Sequence, residues 1–263
     1  MTLIHLDTIV SGLPPSAEPN SYTYVLNQVI TGCSELIFKS VELPIAWCNV
    51  RASSGLNLFM IRVSSGQTYT ATIQELQYTD GATLCTAIGT AFAAVLPSNL
   101  TCTAVCSASN IITLTLTDTN KVVTSFQVLQ SNLACYILGY KNVGVSSSNY
   151  NSGTGASSLA ARVQLNLCPD SMIYLSLPSL RTPTTISTNV PMLTHCHIKV
   201  QCNANQGVIM FVADQSSFKQ SVALMHHDVY GSITINLYDR FGSPLVGSSA
   251  TGMFDWSSTW EAR

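Results

Sequence analysis

The sequence predicts an all-β protein built as a sandwich with one helical insertion. Two observations predict it, and a third, the scarcity of charge, bears on its surface. About a dozen short runs rich in β-branched and aromatic residues follow one another, each bounded by Gly, Pro, Asn, Asp or Ser. A single segment carries a helical period. Charged residues make up 9% of the 263-residue chain, against roughly a quarter in ordinary globular domains.

Residues 1–20 hold a short apolar stretch, Leu3 to Val10, followed by Gly12, Pro14, Pro15 and Pro19, and read as an amino-terminal arm. Tyr22 to Ile30 and Leu36 to Leu43 alternate as strands, with Thr31 and Gly32 turning between them. Strict alternation in the second places Leu36, Phe38, Ser40 and Glu42 on one face and Ile37, Lys39, Val41 and Leu43 on the other. Pro44, lacking an amide proton, ends the ladder. Leu56 to Val63, Tyr69 to Ile73, Leu100 to Cys106 and Ile111 to Thr117 follow as strands.

Between the middle two lies the helix. Asp80 is placed to cap it, Leu84, Ile88, Ala91, Phe92 and Val95 recur at its period, and Pro97 stops it. Residues 141–158, with Ser146 to Ser148, Asn149, Asn151, Gly153 and Gly155, read as a long loop. Strands resume at Leu159 to Leu167, Met172 to Leu177, Leu193 to Cys202, Val208 to Val212, Ser232 to Tyr238 and Met253 to Glu261.

With charge scarce, Ser, Thr, Asn and Gln must cover the surface, and short neutral polar groups are cheap to desolvate and to order. That suits a chain that packs against copies of itself. The net charge is −2 and the eleven Lys and Arg are scattered singly, so no basic stripe exists for phosphates and direct nucleic-acid binding is not expected. Neither a secretory signal nor an apolar run of membrane-spanning length is present. Nine cysteines, among them Cys85, Cys102, Cys106, Cys135, Cys196 and Cys202 in apolar segments, read as reduced core thiols in a chain assembled in the cytoplasm.

No residue emerges as catalytic, cofactor-binding or metal-binding. Cys102 with Cys106 and Cys196 with Cys202 lack zinc spacing. His195 and His197 share a strand face without a third ligand, and His226 and His227 beside Asp228 sit in a loop. Of the acids, Asp239, Asp255 and Glu261 lie in or near the last two strands. Asp239, before Arg240, Phe241 and Gly242, reads as a turn residue bonding its own backbone. Phosphate loops, nucleophile elbows and zincin motifs are absent, so no enzyme is expected. The Asn99-Leu100-Thr101 sequon carries no weight. Trp47, Trp256 and Trp260 are the candidates for a glycan-stacking platform in a carbohydrate-binding sandwich, although core packing is the commoner use.

The order of segments carries a resemblance. Leu36-Ile37-Phe38-Lys39-Ser40-Val41-Glu42-Leu43-Pro44, then Asn49 and Asn57-Leu58-Phe59, then Tyr69-Thr70, a capped helix, Ile111-Ile112-Thr113-Leu114-Thr115-Leu116 and Leu138-Gly139-Tyr140 come first. Met172-Ile173-Tyr174-Leu175, Ile233 to Asp239 and Asp255-Trp256 close it. This order resembles small single jelly-roll capsid proteins of virophages, polinton-like viruses and giant double-stranded DNA viruses, over about residues 21 to 261. The resemblance implies a single jelly-roll β-sandwich over 21–67 and 141–263, with 68–140 inserted as a helix-plus-strands subdomain. It also implies a structural protein of the virion: a penton subunit forming a homopentamer at icosahedral vertices and touching major capsid protein trimers and other minor capsid proteins. The alternative is a minor capsid or vertex-spike protein, and the second alternative the carbohydrate-binding module. The arm before Asn20, with Leu3, Ile4, Leu6, Ile9 and Val10, is expected to order only on assembly.

Overall fold

The computed structural model describes residues 2–7, 20–45, 47–141, 147, 149–180, 198–202, 209–213, 220–224, 229–245 and 256–263. In chain order the elements begin with β1 (Thr2–Asp7), β2 (Ser21–Thr31) and β3 (Glu35–Pro44). Next come β4 (Leu58–Val63), β5 (Thr68–Thr72), α1 (Gly81–Ala93), β6 (Leu100–Cys106), β7 (Ile112–Asp118) and β8 (Phe126–Val128). A π-helical turn (Leu133–Ile137), β9 (Asn149–Asn151) and β10 (Ala156–Ala160) follow. The chain finishes with β11 (Met172–Ser176), β12 (Ile198–Gln201), β13 (Ile209–Ala213), β14 (Ser221–Ala223), β15 (Val229–Tyr238) and β16 (Ser257–Ala262). It divides into two compact units, Met1–Trp47 with Asp170–Arg263, and Cys48–Pro169.

The first unit is a jelly roll. One sheet runs β1-β16-β3-β13, with β14 also on β3, and the other β12-β11-β15-β2. The pairing is nested: the first strand joins the last, β2 joins β15, β3 joins β14 and β13, and β11 joins β12, all antiparallel. That is the outcome of folding one long antiparallel ribbon over on itself, which places alternate pairs in facing sheets. Leu36, Phe38, Val41, Leu43, Ile173, Leu175, Ile233, Ile235, Leu237 and Trp260 form the core between the sheets. Trp260 meets Phe38 edge-on at 5.3 Å, and Trp256 meets Tyr22 edge-on at 5.5 Å, the geometry that aromatic quadrupoles favour.

Two expectations about this unit need correction. Strict alternation in β3 fails, because the core takes Leu36 and Phe38 and then Val41 and Leu43. The register explains it: Thr259 opposes Ser40 while Trp260 opposes Phe38, so Lys39 is an extra residue, a β-bulge that reverses the phase of the strand. The segment read as an arm is, over Thr2–Asp7, the strand β1, paired from Thr2 opposite Ala262 to Asp7 opposite Ser257. Its Ile4 and Leu6 are buried members of the roll core. Residues 8–19 lie outside the described residues.

The second unit reaches further than the expected 68–140 at both ends. Its three-stranded sheet is β5-β4-β8 and its four-stranded sheet β6-β7-β10-β9. Since β4 pairs with β5 and β8, and β10 with β7, residues assigned on sequence to the roll belong here. Helix α1 forms as expected, with the Thr83 N–H donating to Asp80 Oδ1 at 2.7 Å and Leu84, Cys85, Ile88 and Phe92 buried. It packs on β6 and β5, and Phe59, Phe92 and Tyr140 form an aromatic cluster. The segment read as a long loop contains the hairpin of β9 and β10. Its Gly155 has φ +70° and a Cβ there would fall 2.2 Å from the Asp118 carbonyl oxygen, so glycine is required on both counts.

Because β1 fills the roll rather than hanging from it, truncating Leu6 to Ala is expected to destabilise the protein by about 2–3 kcal/mol, the low end for a buried leucine. Deleting residues 1–7 is expected to lower the denaturation midpoint further. Urea unfolding followed by tryptophan fluorescence measures both, and an unchanged midpoint after the deletion would restore the arm.

Candidate functional site

A catalytic group must be presented to a cavity with lone pairs or protons to spare. The buried acids Asp118, Asp170, Asp239 and Glu261 are bonded within the fold. Asp239 is fully buried after β15, where its Oδ1 accepts from the N–H groups of Phe241 at 2.8 Å and Ser243 at 2.9 Å, the self-bonded turn expected from sequence. Asp118, buried at the end of β7, takes Asn99 Nδ2 and the Asn120 N–H on Oδ1 and the Val122 and Val123 N–H groups on Oδ2, all within 3.0 Å. These donors, Val123 first, hold its carboxyl down to about 2. The amide of Asn99, the residue of the sequon, is thereby engaged within the fold.

Glu261 on β16 is buried between the Arg263 guanidinium and Lys39 Nζ, the latter at 2.6 Å. The bond from Arg263 first, and then that from Lys39, depress its carboxyl to about 2. Lys39 is the bulged residue of β3, so the bulge supplies the cation for this cluster. Asp170 accepts Trp47 Nε1 at 3.0 Å, fastening the roll where the chain leaves it and returns. Asp255, His195, His197, His226, His227, Asp228 and Cys196 lie outside the described residues.

Burial pushes the thiols of Cys85 and Cys102 up to about 12, and that of Cys106 upward too. Protonated at neutral pH, they are poor nucleophiles and poor ligands. Cys33, Cys48, Cys85, Cys102, Cys106 and Cys135 carry thiols outside any disulfide, and among the described residues no three His, Cys, Asp or Glu side chains gather as a metal site would require. A groove of about 630 Å³ runs between α1 and β6, lined by Thr86, Gly89, Thr90 and Ala93 on one side and Leu100 to Ala104 on the other. Its ionisable groups are the thiols of Cys85 and Cys102.

The tryptophans proposed for a glycan platform are all buried. Trp256 and Trp260 are core residues that meet Tyr22, Tyr24 and Phe38 edge-on, so the carbohydrate reading loses the aromatic face on which it stood. Sequence reasoning missed the structural use of Asn49. Fully buried, it donates from Nδ2 to the carbonyls of Tyr78 and Leu167 and accepts the Tyr78 N–H on Oδ1, tying three distant parts of the second unit together. Its one signal in the sequence is a lone amide within the apolar run Trp47 to Val50.

No family model and no curated protein matches this chain. Among solved structures, it is similar to the crystal structure of the mavirus penton protein, with a TM-score of 0.54 over 100% of both chains at 10% identity. The chain therefore shares its fold with the mavirus penton protein.

Asp118 provides a test of how these acids are used. A carboxyl depressed in the folded state stabilises the fold above its unfolded pKa of roughly 4, and this contribution disappears as pH falls through about 2. Asp118→Asn points an amide donor at backbone N–H groups and is expected to cost about 1–3 kcal/mol at pH 7. Its deficit relative to the parent protein should shrink toward pH 2. Thermal melts across pH 2–7 measure this, and a deficit independent of pH would contradict the assignment.

Proposed function

We propose that this chain is a structural capsid protein of the virion, the penton subunit that closes a homopentameric ring at icosahedral vertices. The observation that carries the reading is the match to the mavirus penton protein over the full length of both chains. One roll with one inserted unit accounts for all of this chain. The arrangement of ionisable groups agrees with it: the buried carboxylates Asp118, Asp239 and Glu261 are consumed by backbone amides or cations, so their role is to hold the fold.

The mechanism is assembly by geometry. A roll set about a five-fold axis presents a different side to each neighbour, so every contact is head-to-tail and the ring closes on itself. The same weak contact is then made five times. A surface of Ser, Thr, Asn and Gln loses little side-chain entropy and little hydration when covered, which favours contact on several sides at once. Major capsid protein trimers around the vertex are the further partners of such a ring.

Light scattering on the concentrated protein, backed by chemical cross-linking, is expected to give five chain masses. A monomer throughout the accessible concentration range, with no cross-linked ladder, would replace the ring with a minor capsid component that joins the shell singly.

A further inference from the structure

We propose that the side of the roll bounded by β1 and β2 is the face through which one copy of this chain docks on the next. The inference rests on the ring reading above and names the surface such a ring would use. Among the described strands each of these is terminal in its sheet, β1 in one and β2 in the other. They lie on the same side of the roll. Burial first, then Tyr22 and last Asp7 at the end of β1, raise the pKa of the Tyr24 hydroxyl on β2.

The apolar side chains of the roll are distributed unevenly. Among its described residues, the large ones left exposed are Leu3 at 66%, Val25 at 82%, Val29 at 59% and Val229 at 65%. Leu3 is on β1, and Val25 and Val29 are on β2. Val229 begins β15 and pairs with Thr31 at the end of β2. The register shift between Tyr230 and Ser232 brings Val29 over Gly231, where a Cβ would lie 3.8 Å from Val29 Cγ1. The three valines thus gather around one irregularity in the ladder.

A free edge strand invites pairing with another chain, and proteins that stay single guard it with lysine, proline, a bulge or a very short strand. β2 has eleven residues with neither lysine nor proline, and its one guard of this kind is the irregularity opposite Gly231, which leaves Ser21–Val25 in a regular ladder. Neither β2 nor β15 contains Asp, Glu, Lys or Arg, so a polyanion or a charged peptide would find no counter-charge along either strand. A neutral protein face can cover them without leaving a charge unpaired. Leu3 turns outward from its own sheet, whereas Val25, Val29 and Val229 share the other, and these three offer apolar area of the order of 300 Å², over a third of the roughly 800 Å² that a standard interface takes from each partner. That is the apolar centre of an interface, with the Thr, Ser and Asn of β2 and β15 as its rim. The occupant assigned to it is a second copy of this chain.

The test compares the full-length protein with Val25→Asp/Val29→Asp by sedimentation and by thermal melting. Both side chains are exposed, so the monomer's melting temperature should hold, while the concentration needed for ring formation should rise at least tenfold. Val105→Asp, at an exposed valine in the second unit, should leave the ring unaltered. Hydrogen exchange on the unsubstituted protein gives a second readout, with the β2 amides expected to slow in the ring relative to the diluted monomer. A ring that survives both aspartates, with no slowing at β2, would overturn the face and leave the ring reading standing. An unsubstituted protein that never forms a ring would overturn the ring reading itself. Loss of binding only to a different capsid protein would overturn the second copy as occupant.

Discussion

The roll depends on pairing the first strand with the last. β1 and β16 are at opposite ends of the chain, with His5 and Thr259 separated by 254 residues and their side chains 3.1 Å apart. Loop-closure entropy grows only with the logarithm of length. Closing 254 residues instead of about 16, four doublings, adds about 2.4 kcal/mol. Burying Ile4 and Leu6 returns about 1.5–3 kcal/mol each, so the distant pairing is favourable on balance. It also makes β16 an interior strand between β1 and β3. Trp260 can then meet Phe38 in a covered core, and each inner pair of the nested ribbon has a template beside which to form.

The bulge in β3 is a consequence of the same closure. β3 pairs with β16 and also with both β13 and β14, and a strand held along both sides must follow the twist of the whole sheet. An extra residue increases local twist and bends the strand. Placing Lys39 there costs one ladder position, but turns its ammonium toward Glu261, whose carboxylate would otherwise be a buried charge with Arg263 as its principal cation. Removing one partner from a buried ion cluster is far more damaging than the net worth of the cluster suggests. The Lys39, Glu261 and Arg263 cluster therefore pins register more than it adds stability.

How much was legible in the sequence follows from which interactions are local. The helix was readable because Asp80, the apolar stripe and the stop at Pro97 all act within a few residues of one another, and α1 forms where they indicate. The self-bonded turn at Asp239 was readable for the same reason. β1 was not, because Leu3 breaks its alternation with an apolar residue on the outer face, and the strand has meaning only beside β16. The bulge at Lys39 shifts phase without altering composition, so nothing in residues 35–44 announces it. The limits of the inserted unit depend on the pairing of β4 with β8 and of β10 with β7, contacts between segments that carry no mutual signature. Val25 was unreadable as an exposed residue for a general reason: valine is the expected choice for a strand whether its face is covered by its own chain or by another.

That last ambiguity bears on what a neutral surface can achieve. A chain with 9% charged residues has few ways of repelling the wrong neighbour, so specificity must come from shape and from backbone edges. Edges are directional: a free strand accepts a partner in one register and from one side. Charged contacts, by contrast, strengthen encounter over a distance of about 8 Å at physiological salt and are tolerant of orientation. For a closed ring, in which a small angular error at each joint would be repeated around the axis, directional edges are the better instrument. The scarcity of charge and the uncharged β2 edge are in this sense one property of the chain.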